Sequence, residues 1–237
     1  MYFSPRIVTS GLTLCLDAAD KNSYSGTGAV WKDLAQNLVF NSTGTTQTPF
    51  TKVGGVPCFA FNSSGYWQCS SGFGQVDLGG DCTISIWFYS QSPSVRRTIF
   101  QKAGTSYASY EQEIAVTWEL DSVPNWSYYS RYSPAYDYAS FVGGSHNKWN
   151  NMTITMTTGK TTTARSGIGY VNGSSQYTVY TSRSNVALVA AGAIQIGSGY
   201  AGTVDVGYIS SVYCYNRVLG TTEILQNYNA TKTRFGL

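Results

Sequence analysis

Two groups of carboxylates have a spacing that could support acid–base chemistry on a glycan. One is Glu119-Leu120-Asp121-Ser122-Val123 and the other is Glu111-Gln112-Glu113. Residues two apart in a strand share a face, so alternating carboxylates can flank a glycosidic bond. However, Val123 can neither donate nor accept a proton, and the second group holds only two carboxylates. We therefore predict solvated carboxylates, no catalytic residues and no enzymatic activity.

A hydrolytic triad is not indicated either. The one histidine of the chain, His146, lies in Gly143-Gly144-Ser145-His146-Asn147, which reads as a loop before a strand. The chain contains no Gly-x-Ser-x-Gly elbow, the turn that presents a nucleophilic serine. Acid–base catalysis by this single loop histidine is therefore not expected.

Carboxylates in turns are the usual protein ligands of calcium. The residues of this kind are Asp17, Asp20, Asp33, Asp77, Asp81 and Asp205. None of them belongs to an Asp-x-Asp-x-Asp run, which would indicate a dedicated cation loop. The sequence therefore predicts no metal and no cofactor, with a calcium ion at some of these residues as the alternative.

The cysteines do not form a recognisable framework. Cys15, Cys58, Cys69, Cys82 and Cys214 are odd in number and lack Cys-x-x-Cys spacing, so neither paired disulfides nor a zinc site is indicated. Because a free cysteine behaves as a small apolar residue, we predict five buried thiols.

An aromatic segment is the strongest candidate for a binding surface. Five tyrosines and a tryptophan occur within residues 126–138, mixed with serines, an arginine and an aspartate. Such residues suit stacking on sugar rings or a protein interface, and the remaining alternative is a long loop that covers one sheet. The candidate residues are Trp126, Tyr128, Tyr129, Arg131, Tyr132, Tyr136, Asp137 and Tyr138.

Composition excludes several classes of partner. Charged residues make up 11% of the chain, and the net charge of +3 comes from scattered basic residues. Nucleic-acid binding is not expected, because no basic stripe could neutralise phosphates. No apolar run approaches the roughly 20 residues of a membrane span, and the N-terminus has no signal-peptide pattern. We therefore predict a soluble protein made in a cytosol.

Apolar alternation predicts an all-β domain. Leu12, Leu14 and Leu16 define a first strand, and 83–89 is the clearest central strand, with Ile84, Ile86 and Phe88 on one face. Further strands are predicted at 58–61, 98–102, 114–118, 149–156, 169–171 and 194–196. Spacings of about ten residues between turn signals favour a two-sheet antiparallel jelly-roll sandwich.

The last strand and the one predicted helix close the domain. The strand covers 202–215, with a bulge at Ser210-Ser211, and the helix follows Gly220 as its N-cap. Glu223 would then accept from the N-cap N–H, and Leu219 and Ile224 would form a hydrophobic staple.

Several of these segments resemble the laminin-G-like jelly roll of the concanavalin A-like lectin/glucanase superfamily. The matching motifs are Trp31-Lys32-Asp33-Leu34, 83–89, Asn172-Gly173 and Tyr215-Asn216-Arg217-Val218-Leu219. Residues 227–236 are similar to the end of such domains in structural proteins of tailed bacteriophages. Where those relatives carry an acidic turn, this chain has Asn62-Ser63-Ser64-Gly65, which is a poor calcium site.

The resemblance implies a non-enzymatic phage structural protein located in the virion. We predict a docking arm at 1–10, the jelly-roll domain at 11–228 and a docking tail at 229–237. A capsid decoration protein that binds the major capsid protein, another virion protein or sister copies in a homo-oligomer is the leading interpretation. The alternatives are a lectin-like adhesion module that binds cell-surface glycans and, less favoured, a glycosidase.

Overall fold

The computed structural model describes residues 6–44, 46–61, 65–91, 97–103, 112–119, 125–132, 135–157, 166–176, 178–182, 192–197 and 207–237. They form two antiparallel sheets, numbered here in chain order, and one C-terminal helix. The predicted jelly-roll sandwich is confirmed. None of the described helical segments is both long and apolar enough to cross a membrane.

The first sheet has eight strands. They are β1 (Leu12–Asp17), β4 (Phe50–Val53), β5 (Val56–Phe61), β7 (Cys82–Ser90), β12 (Trp149–Thr157), β13 (Ser166–Val171), β14 (Ser174–Ser175) and β17 (Gly207–Tyr215). Their order is β14-β13-β12-β7-β17-β5-β4. Strand β17 pairs with β7 along one side, and with β5 and then β1 along the other.

The second sheet has nine strands. They are β2 (Val30–Lys32), β3 (Val39–Gly44), β6 (Gly65–Cys69), β8 (Arg97–Ala103), β9 (Gln112–Glu119), β10 (Asn125–Tyr132), β11 (Ala135–Val142), β15 (Thr178–Ser182) and β16 (Ile194–Ile196). Their order is β15-β11-β10-β9-β8-β16-β6-β3-β2. Strands β2 and β15 are therefore at opposite edges.

The two central strands of the first sheet agree with the sequence pattern. In β7, Ile84, Ile86 and Phe88 point into the core between the sheets, and Trp87 points to the opposite face. In β17, the pairing with β7 shifts register between Ile209 and Ser211, so the predicted bulge is confirmed. Both faces of these strands are buried, which explains their nearly continuous apolar sequence.

Two glycines allow the sheets to approach closely. A Cβ atom on Gly169 would lie 2.3 Å from Phe141 Cδ1, and one on Gly197 would lie 1.7 Å from Phe61 Cδ1. Each phenylalanine ring therefore occupies the space that any other side chain would need. The close approach of one ring and one glycine fixes the separation of the sheets at these points.

A second apolar layer covers the outer face of the eight-stranded sheet. Phe235 stacks on Trp87 with ring centroids 3.7 Å apart and planes 4° from parallel, and Trp149 meets the same ring edge-on at 5.1 Å. Trp87 Nε1 donates to Thr231 Oγ1 at 3.0 Å. The C-terminal residues thus cover the centre of this face, whereas Ile168 of β13 is 48% exposed.

The covering segment is the helix α1 (Thr221–Thr231) followed by a 3-10 turn, Lys232–Phe235. The predicted domain end at residue 228 therefore falls inside α1. The segment 229–237, predicted as a docking tail, packs on its own domain through Phe235 and through the ion pair between Arg234 and Asp17 at 2.8 Å. Gly236, with φ at +74°, ends the turn.

The N-terminal residues contact the same layer. The Val8 N–H donates to Asn227 Oδ1 at 2.7 Å, and Tyr215 Oη donates to the Val8 carbonyl at 3.0 Å. Residues 1–5 of the predicted arm lie outside the described residues. Binding of this arm to another subunit stays a prediction.

The start of α1 agrees with the sequence analysis. The Gly220 N–H donates to Glu223 Oε2 at 2.9 Å, and both members of the predicted staple, Leu219 and Ile224, are buried in the outer layer. The two guanidinium nitrogens of Arg217 donate to the two carboxylate oxygens of Glu223 at 2.6 and 2.9 Å. Glu223 therefore caps the helix and pairs with the turn that precedes it.

We expect this carboxylate to make stability depend on acid pH. The Arg217 guanidinium and the Gly220 N–H lower the pKa of Glu223 from 4.5 to about 2. The stabilisation is thus complete above pH 4.5 and is lost as the pH falls towards 2. Because a third of the side chain is exposed, Glu223→Gln should lower the free energy of unfolding at pH 7 by only about 1 kcal/mol.

Urea unfolding followed by circular dichroism at pH 7, 4 and 2.5 would measure this effect. The difference between the wild type and Glu223→Gln should shrink as the pH falls. A difference that stays constant over this range would contradict the assignment. Asp77→Asn, at an exposed turn, is the control.

Candidate functional site

The aromatic segment forms the hairpin of β10 and β11. The alternative of a long loop is therefore wrong, because residues 125–132 and 135–142 are paired strands. Strand β10 also pairs with β9, and β11 pairs with β15, so the hairpin is internal to the nine-stranded sheet. A sheet supplies a firmer support for a recognition surface than a loop does.

Register places several of the candidate residues opposite one another along the backbone. Tyr129 is paired with Tyr138, and Arg131 with Tyr136. Asp137 is paired with Ser130. The side chains of all eight candidate residues (Trp126, Tyr128, Tyr129, Arg131, Tyr132, Tyr136, Asp137 and Tyr138) lie outside the described part of the structure, so their role as a ligand or interface surface stays a prediction.

The carboxylate side chains considered for glycan hydrolysis lie outside the described part of the structure. Glu119 is the last residue of β9, whereas Glu111 and Asp121 lie outside the described residues. His146 is half-buried in the turn before β12, as predicted from its glycine-rich surroundings. The absence of enzymatic activity stays a prediction.

Asp33 has a structural role that the sequence analysis did not assign. Its side chain is only 1% exposed and accepts three backbone N–H groups. Cys15 N and Ala35 N donate to Oδ1 at 2.6 and 3.0 Å, and Gln36 N donates to Oδ2 at 2.7 Å. This carboxylate joins β1 to the turn after β2.

Three of the other aspartates in the calcium hypothesis also make contacts within the protein. Asp17 pairs with Arg234, while Asp20 and Asp77 accept N–H groups within their own turns. Asp81 lies just before β7, and Asp205 falls outside the described residues. Within the described ranges, no group of three or more His, Cys, Asp or Glu side chains is arranged to hold a metal ion.

All five cysteines are buried and free, as predicted. Burial raises the pKa of the Cys15 and Cys58 thiols to about 12, and nearby Asp17 adds to the effect at Cys15. Burial also raises the pKa of Cys69 and Cys214. These four thiols are unsuited to nucleophilic chemistry, because the reactive form is the thiolate.

Sequence reasoning missed a pocket beside β2. It has a volume of about 310 Å³ and is lined by residues of 21–32, among them Lys21, Ser25, Thr27 and Lys32. The signal in the sequence is weak, because it consists of two lysines eleven residues apart and two intervening glycines, Gly26 and Gly28. Only the fold of the β1–β2 connection shows that these lysines line the same pocket.

Comparison with known protein families identifies a family to which most of the chain can be aligned. Residues 61–225 match the sequence profile of a laminin-G-type family, described as the concanavalin A-like lectin/glucanases superfamily. This match covers more than half of the chain. A comparison with curated proteins found no match.

Solved structures with a similar fold include toxin domains and an enzyme. One is a structure of botulinum neurotoxin type C, whose description names an interaction with two ganglioside molecules. It aligns with a TM-score of 0.70 and 14% sequence identity. The alignment covers 94% of this chain and 52% of the toxin chain. The binding domain of botulinum neurotoxin DC, in complex with rat synaptotagmin II, gives 0.68 at 14% identity, over 94% and 52%.

A Trypanosoma rangeli sialidase aligns with a TM-score of 0.61 at 15% identity, over 94% of this chain and 33% of that one. The chain thus spans about half the length of the toxin structures and a third of the sialidase. At such identities the likeness shows the fold alone.

Proposed function

The chain belongs to the laminin-G-type family of the concanavalin A-like lectin/glucanases superfamily, and we propose on this premise that it is a non-enzymatic, lectin-like binding module. Its target is a carbohydrate or a protein receptor. The observation that carries the proposal is the apolar layer that covers the centre of the outer face of the eight-stranded sheet. Because this face is covered, we expect the target to bind to the nine-stranded sheet or its edges.

The similar toxin structures support a binding role. One is described with ganglioside molecules and another with rat synaptotagmin II, so this fold accommodates both a carbohydrate and a protein partner. In this chain the β10–β11 hairpin is rich in tyrosine and also contains tryptophan and arginine. These residue types contribute most of the contact energy in many interfaces. We place the main recognition surface on this hairpin.

Glycan-array binding tests this placement. The wild type should bind at least one class of glycan, and the Tyr129→Ala/Tyr132→Ala double variant should bind it about 30-fold more weakly, since each of the two ring stacks is worth about 1 kcal/mol. A Tyr208→Ala variant, changed on the other sheet, is the control. Full binding by the double variant would remove the hairpin from the site, and a silent array would remove the glycan.

The non-enzymatic part of the proposal is supported by the pattern of acids and thiols. Glu119 and Asp121 are followed by Val123, which cannot serve as a third acid or base. The Cys15 thiol, whose pKa is raised, is unsuited to nucleophilic attack. The competing proposal, a glycosidase, requires turnover of a β-glucan that is lost in Glu119→Gln. We expect no turnover by the wild type.

The finer proposal places the module on the surface of a tailed-phage particle, where it binds the major capsid protein or sister copies. It is supported by the resemblance of residues 227–236 to phage structural proteins. These residues form the C-terminal half of α1 and the following turn, so docking would use the outer surface of this folded segment. Cross-linking mass spectrometry on intact particles tests it, and particles without a cross-link from this segment to a neighbour would contradict it.

A further inference from the structure

The pocket at residues 21–32 is a candidate site that does not involve the aromatic hairpin. It lies at the β2 edge of the nine-stranded sheet. Five strands separate β2 from β10, and strands are spaced ~4.8 Å apart, so the pocket and the hairpin are separate surfaces. Any ligand of the pocket is therefore recognised by different residues.

The walls of the pocket are held in place before any ligand binds. The Tyr24 ring is buried in the core, with its centroid 4.8 Å from those of both Phe50 and Phe59. Its hydroxyl donates to the Gly28 carbonyl at 3.0 Å. A buried aromatic ring thus anchors the turn that forms the far wall, which reduces the entropy that a ligand must overcome.

Hydrogen bonds fix the opposite wall to β2. The Lys32 N–H donates to the Ser23 carbonyl at 2.8 Å, and Ser23 Oγ donates to the Lys32 carbonyl at 2.6 Å. Ser23 and Tyr24 N–H groups both donate to the Asp20 carbonyl. The backbone that carries Lys21 and Lys32 is therefore tied on both sides of the pocket.

The lining combines positive charge with neutral hydrogen-bonding groups. Lys21 and Lys32 are exposed, and neither forms an ion pair within the described part of the chain. The residues lining the pocket include no carboxylate. The Asp20 carboxylate, next in sequence to Lys21, accepts the Asn22 N–H at 2.8 Å. Two ammonium groups in one concave site attract an anion.

The neutral groups define the rest of the ligand. Asn22, Ser25 and Thr27 offer amide and hydroxyl groups that can pair with hydroxyls, and the exposed Val30 adds an apolar wall. A volume of about 310 Å³ is at the lower end of the range for ligand pockets. A sugar ring has both hydroxyls and apolar C–H groups, and an acidic substituent would meet the lysines.

We infer that this pocket binds an acidic sugar, meaning a carbohydrate unit that carries a carboxylate or a sulfate. The inference rests on the proposed lectin-like function and adds a second site with a defined ligand class. The two lysines bind the acidic group, and the amide and hydroxyl side chains bind the ring hydroxyls.

The test uses an array of matched glycan pairs that differ only in a carboxylate or a sulfate, followed by titration calorimetry on the best pair. The wild-type chain should bind the acidic member about 10-fold more tightly than the neutral one. Lys21→Gln/Lys32→Gln should lose this preference. Lys52→Gln/Lys148→Gln, which removes two exposed lysines elsewhere, should retain it.

Each contrary outcome has one meaning. Equal loss in both double variants would show general electrostatic attraction and overturn the pocket. Binding of neutral glycans without an acidic preference would overturn the inference and leave the lectin-like function in place. Competition by sodium sulfate as strong as that by the sulfated glycan would reduce the site to an anion site and overturn the sugar assignment. An array with no bound glycan would overturn this inference together with the glycan form of the proposed function, and would leave a protein receptor as the target.

Discussion

An Asp33→Ala variant is expected to lose about 3 kcal/mol of its free energy of unfolding, because three backbone N–H groups would lose their shared acceptor. One of these groups, Cys15 N, belongs to β1, and the other two belong to the turn after β2. No water can easily replace a carboxylate that is almost completely buried. The loss should therefore exceed that of any exposed carboxylate in the chain.

Urea unfolding followed by tryptophan fluorescence measures this loss. Asp33→Asn should retain part of the stability. The asparagine amide oxygen can still accept backbone N–H groups, whereas its NH₂ group is a donor that would face at least one of the backbone N–H donors. Asp77→Ala is the matched control, because this exposed aspartate accepts a single N–H from Gly79 in its own turn. Equal midpoints for Asp33→Ala and Asp77→Ala would show that the buried carboxylate has no structural role.

The second large effect is expected from Phe235→Ala, which should cost about 3 kcal/mol as a buried ring is removed from a packed layer. Phe235 is 6% exposed and lies against both Trp87 and Trp149. Its removal leaves a cavity over two indole rings and detaches the turn that holds Arg234. The centre of the outer face of the eight-stranded sheet would then meet water.

Near-ultraviolet circular dichroism reports on this change directly, because the stacked ring fixes the surroundings of Trp87. Phe235→Leu should recover much of the stability but not the stacking signal. Leu237→Ala, at a residue that is 46% exposed on the same segment, should leave both observables unchanged. A Phe235→Ala variant as stable as Leu237→Ala would contradict this role of the covering segment.

The sandwich could be predicted from the sequence because its central strands are regular. Alternation over 83–89 assigns each side chain to a face, and the Asn172-Gly173 pair predicts the turn that the structure has, with φ at +52° and +78°. The start of α1 was also predictable, since Gly220, Glu223 and the staple are local signals. All of these depend on residues close together in the chain.

The errors arose where the signal was not local. A loop is one of the alternatives that the sequence leaves open for the aromatic segment, although Trp126, Tyr128, Ser130 and Tyr132 alternate as a strand requires. The predicted boundary at 228 falls inside α1, and the glycine that ends the following turn is Gly236; docking by 229–237 stays a prediction. The pocket was missed because Ser23 and Lys32 pair only in the fold.

The position of β17 affects how the protein is made. This strand lies between β7 on one side and β1 and β5 on the other, yet it comes from residues 207–215. During synthesis on the ribosome, β1, β5 and β7 therefore emerge first and lack their common partner until β17 has been synthesised. Pairings so distant in sequence form slowly, so we infer that the sheet closes late, after most of the polypeptide has been synthesised.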